Sequence, residues 1–111
     1  MNNFFIFFMA ITILTLSPLK AAIYKGQAVY VKECSKCHSN GQAYIASRSI
    51  SKWNGLMKNK GKPLADIHLK DNRAKKSWRY FTSSKYSKKS RHLRQFLVEY
   101  AKDTGNVPAC N

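Results

Sequence analysis

Cys34, Cys37 and His38 are the residues best equipped for chemistry, and they stand in one run, Cys34-Ser35-Lys36-Cys37-His38. Two thiols two residues apart, followed at once by an imidazole, match the attachment signature of c-type haem. The thiols would form thioethers with the vinyl groups of the macrocycle, and His38 would become the proximal iron ligand. A bare Cys-x-x-Cys has two other uses, a thioredoxin-like redox pair and half of a zinc site. Zinc needs two further ligands at suitable spacing, and His68, His92 and Cys110 are scattered singly. A redox pair should follow a strand and open a helix, whereas this pair ends a helical pattern. One covalently held haem is therefore the expected cofactor.

The motif specifies only one axial ligand. Met57 is the sole Met after the apolar N-terminal segment, but it shares a helical face with Trp53, where core packing is the commoner role. His68 stands further from His38, between Ile67 and Leu69, a setting suited to a haem pocket. His92 falls in a basic run and reads as a surface histidine. His68 or Met57 is the expected distal ligand, with His92 or a five-coordinate iron as the remaining cases.

The elements that must position these groups read as short helices with polar connections, without strand alternation. The first runs from about Tyr24 to Cys34 and ends on the motif; Ser39-Asn40-Gly41-Gln42 follows as a loop. A second covers about Ser51 to Asn59, capped by Ser49 or Ser51 and stopped by Gly61. Pro63 opens a third, carrying Leu64, Ile67 and His68. A fourth, about Arg73 to Phe81, aligns Ala74, Trp78 and Phe81. The last aligns Leu93, Phe96, Leu97, Tyr100 and Ala101, with Gly105 as its stop and Pro108 beyond.

Phe4 to Leu16 is uncharged and almost wholly apolar, and it ends at Ser17-Pro18. That is shorter than the roughly 20 residues a spanning helix needs, so it reads as a signal-peptide core. Residues 1–22 are the expected signal peptide, with an uncleaved anchor as the alternative, and residues 23–111 the single mature domain. Export to the periplasm suits covalent haem, and a large apolar macrocycle would staple a small core. Among 111 residues, 20 are Lys or Arg and 5 are Asp or Glu, a formal charge of +15. In an exported protein this excess points away from nucleic acid and toward acidic partner proteins or an anionic membrane surface. A solvated basic surface without a dedicated partner is the plain alternative. Cys110 is left over once haem is attached, which suggests a disulfide-linked dimer or a tail thiol without a role.

Gly26 and Tyr30 lie eight and four residues before Cys34, on one helical face. A mid-helix Gly suggests close approach of another backbone, and the last helix, with Leu97 and Tyr100, is the natural partner. This pattern resembles the class I cytochrome c family, firmly over Tyr24 to His38 and less so over Leu93 to Tyr100. The resemblance implies an all-α, cytochrome c-like bundle around one haem. Gly26, Tyr30, Leu97 and Tyr100 would be helix-contact residues. The middle of the chain departs from the family. No Gly-Pro follows the motif to orient His38, and the loop near Thr82 to Ser90 lacks the usual distal Met. The implied role is single-electron transfer between respiratory partners, not catalysis. A haem subunit of a larger, terminal oxidase-type complex and a five-coordinate sensor or peroxidase are the alternatives.

Overall fold

The computed structural model describes residues 17–108. The apolar segment up to Leu16 and the tail thiol of Cys110 lie outside these residues. The described chain is all-α, with no strand. It contains α1 (Pro18–Val29), α2 (Gly41–Ile45), α3 (Ile50–Leu69), α4 (Trp78–Phe81) and α5 (Ser84–Glu99). None of the described helices is long and apolar enough to cross a membrane.

Local chemistry accounts for where these helices start. Ser17 caps α1 by accepting from the Lys20 amide, and Pro18 supplies a preset φ at the first turn. The helix thus begins earlier than the Tyr24 expected from apolar spacing, and the expected processing point after Ala22 falls inside it. Ser49 and Ser83 cap α3 and α5 in the same way. The fourth predicted helix is split. Asp71 caps a 3-10 stretch over Asn72–Ser77, and only Trp78–Phe81 is α-helical. The last helix ends at Glu99, so Ala101 lies beyond it, although it is buried. Gly105, in the left-handed region at φ 68°, instead ends a short 3-10 turn over Lys102–Thr104.

α3 is two helical segments joined by a left-handed break. Asn59, Lys60 and Gly61 have φ of 50°, 57° and 76°. Left-handed backbone costs a non-Gly residue about 1–2 kcal/mol, so the surroundings must hold the break open. Tyr86 of α5 does so: its buried hydroxyl donates to the Gly61 carbonyl. Its ring leaves no room for a side chain there, since a Cβ on Gly61 would meet Tyr86 Cζ at 2.7 Å. The expected stop at Gly61 and restart at Pro63 correspond to this break, which re-aims the half of α3 that carries His68.

The core lies where α1 and α3 pack on α5. Trp53, Phe96, Ile45, Leu93 and Leu97 are its largest fully buried side chains. Where α1 crosses α5, a Cβ on Gly26 would collide with the His92 carbonyl group and meet Phe96 Cβ at 2.7 Å. Gly26 therefore abuts His92 and Phe96, whereas the sequence pointed to Leu97 and Tyr100. Tyr30 packs one turn on, its ring centre 5.7 Å from that of Phe96. Phe96 in turn meets Tyr100 at 5.3 Å.

Gly→Ala inside a helix ordinarily gains roughly 0.5–1 kcal/mol. At Gly26 the helices must separate, and overpacking of this kind costs about 1–3 kcal/mol. Urea unfolding of Gly26→Ala should therefore show a loss of stability; a neutral or stabilised variant would mean the helices do not cross so closely. Tyr86→Phe strands the Gly61 carbonyl and should cost about 1–3 kcal/mol in the same assay.

Candidate functional site

The helical geometry changes before the motif. Tyr30–Cys34 forms a π-helical turn, closed by the Ser35 amide donating to the Tyr30 carbonyl at 3.0 Å. Such turns insert one extra residue into a helix and recur at functional sites. The chain then makes one more turn, with the Cys37 and His38 amides donating to the Cys34 carbonyl at 3.2 and 2.9 Å. Cys34 and His38 end one turn apart. The Tyr30 hydroxyl donates to the Gly41 carbonyl at 3.4 Å and ties the following loop back to the helix.

Cys34 is half-buried, Cys37 is exposed, and neither is in a disulfide. Burial, followed by the nearby Glu33 and Cys37, pushes the Cys34 thiol up to about 12. A redox-active thiol needs the opposite, a stabilised thiolate. Cys34 is instead held as the neutral thiol near pH 7.

His38 meets His68. Their ring centres are 6.2 Å apart and their planes stand at 89°. Each ring is gripped by an aromatic neighbour. Tyr44 of α2 stacks on His38 at 4.1 Å, and Phe81 of α4 stacks on His68 at 4.2 Å. His68 is further fixed by a 2.8 Å hydrogen bond between Nδ1 and the Leu64 carbonyl, with Nδ1 as the donor. That bond selects the tautomer whose Nε2 carries a free lone pair, the usual arrangement behind a metal-binding histidine. Trp78 Nε1 donates to the His68 carbonyl at 2.7 Å and anchors the end of α3. Burial, then the charges of His68 and Arg48, lower the His38 pKa and favour the neutral, ligand-competent ring.

Metal–imidazole nitrogen bonds are about 2.0 Å, so two imidazoles on opposite sides of one ion have ring centres roughly 6 Å apart. The His38–His68 ring-centre distance is of that size. No group of three or more His, Cys, Asp or Glu is placed to hold a metal among the described residues.

The other ligand candidates lie elsewhere. Met57 is buried in the core, with its sulfur 4.0 Å from the Tyr86 hydroxyl oxygen. His92 lies at the α1–α5 crossing beside Gly26, roughly 12 Å along the helix from Cys34. Sequence reading missed α2 and the roles of Tyr44 and Phe81. The signal for α2 was faint, because Gly41–Ile45 is barely more than one turn. Comparison with known proteins gives no match: no family model fits the chain, and no curated protein or solved structure matches it.

In the unmodified chain, iodoacetamide at pH 8 should label the exposed Cys37 first and leave Cys34 largely unmodified. Its thiolate should appear only in strongly alkaline solution. Equal labelling of both at pH 8, read by mass spectrometry, would contradict a buried, neutral Cys34.

Proposed function

We propose that this chain is a monohaem c-type cytochrome that carries single electrons. The observation that carries the reading is the approach of His68 to His38, four residues past Cys34, at the separation two axial ligands require. Cys34 and Cys37 would hold the haem through thioethers. His38 would be the proximal ligand and His68 the distal one, with Met57 left to the core. The bound haem would supply reversible one-electron chemistry at its iron.

The residues set the terms of that chemistry. His38 and His68 would both hold the iron, which favours electron transfer over gas or peroxide chemistry. The Leu64 carbonyl and the Phe81 ring hold His68 in one orientation, so its geometry need change little between redox states. Tyr44 does the same for His38. Two imidazoles give a lower potential than a Met/His pair. The carrier reading thus draws more support than a five-coordinate sensor or peroxidase.

The basic surface fits acidic redox partners. The described residues form three ion pairs, Lys62–Asp66, Arg73–Asp71 and Lys85–Glu33, which leave most of the basic charge uncompensated. Such a surface speeds encounter more than it tightens binding. An anionic membrane surface would use the same charge.

Expression of the full chain in a host with haem-attachment machinery tests the reading. The expected product carries one haem by intact mass and shows a low-spin spectrum. His68→Ala should lose the low-spin spectrum and gain rapid carbon monoxide binding when reduced. Met57→Ala should keep the spectrum and lose about 2–5 kcal/mol of stability, as a core truncation does. A haem-free product would remove the reading, and loss of the low-spin state only in Met57→Ala would replace His68 with Met57. Reduction by an acidic partner should slow steeply between low and physiological salt; a rate indifferent to salt would remove the docking role of the basic face.

A further inference from the structure

Four lysines converge on a hollow between α1 and α5. Lys25 and Lys32 come from the first helix and its π turn, and Lys85 and Lys89 from α5; Glu33 and Tyr80 complete the lining. The hollow measures about 180 Å³. Four lysines and one glutamate thus line it, and Lys85 feels the charges of Lys32, Glu33 and Lys89. That carboxylate does not neutralise the cluster: Lys85 Nζ lies 4.0 Å from Glu33, at the outer limit of an ion pair. Close contact with the Lys32 ammonium, and the charges of Lys32 and Lys89, hold Lys85 below the ordinary lysine range. Burial pushes the Tyr80 ionisation well up, so its hydroxyl adds no negative charge.

Like charges gathered in one concavity repel one another, and an anion placed among them removes that repulsion. A single extra carboxylate would leave the hollow positive. An acidic polypeptide offers one charge per side chain, and a hollow this small admits one compact group. We propose that the hollow binds a free, small, multivalent phosphate of the pyrophosphate class. Its oxygens would accept charge-assisted hydrogen bonds from the lysines of both helices and clamp α1 to α5. The site uses neither His38 nor His68.

Isothermal titration of the full chain with inorganic pyrophosphate, at constant ionic strength, tests this. One equivalent should bind. The K32Q/K89Q double variant should weaken binding at least about tenfold, about 1.4 kcal/mol, whereas K58Q/K60Q, with the same charge loss at the α3 break, should change it less than about twofold. The single variant Lys85→Gln should also weaken binding, and it stands in for the double variant if that does not fold. Equal weakening by the two double variants, or binding of several equivalents, would show general electrostatic attraction and overturn the site. Octaglutamate binding at least as tightly, with the same lysine dependence, would overturn the phosphate in favour of an acidic polypeptide. Haem content is read from absorbance of the same samples, so its absence would leave this result standing.

Discussion

The contact of α1 with the backbone of α5 at Gly26 is the constraint on which the rest depends. Only a residue without a side chain lets the His92 carbonyl and Phe96 come so near. That approach seats Tyr30 on Phe96, and Tyr30 in turn holds the loop after the motif through Gly41. It also sets Tyr86, further up α5, against the α3 break. Both arms of the candidate site, the motif with His38 and the redirected half of α3 with His68, are therefore referred to one helix crossing. The α1–α5 hollow with its lysines is a second product of the same crossing.

Much of this was legible in the residues. Gly26 and Tyr30 announced a close crossing, and Leu93, Phe96 and Leu97 announced the face that receives it, because helical periodicity and the cost of Gly are local properties. The Gly26 contacts were misassigned by a turn, since the depth at which two helices cross depends on side chains along both. The α3 break was visible as Gly61 and Pro63, yet the left-handed run through Asn59 and Lys60 was not. It is stabilised by the Tyr86 hydroxyl from 25 residues away, and no window of sequence holds both ends of that bond.

The site divides in the same way. The thiols and His38 are contiguous and could be read directly. His68 could only be ranked beside Met57, because choosing between them needs the direction each half of α3 takes. The break sends Met57 into the core and His68 toward His38. Tyr44 gave no spacing signal, since its helix is too short to show a period, and Phe81 was read on a face with Ala74 and Trp78 without its contact to His68.

The central claim is that His38 and His68 would together hold one haem iron, a proposal drawn from the approach of their rings, whose planes stand at 89°. Electron paramagnetic resonance of the oxidised, haem-loaded protein tests it most directly. Near-perpendicular imidazole planes predict a low-spin signal with an unusually large highest g value. A high-spin signal, or the ordinary rhombic low-spin pattern of parallel imidazoles, would contradict that geometry.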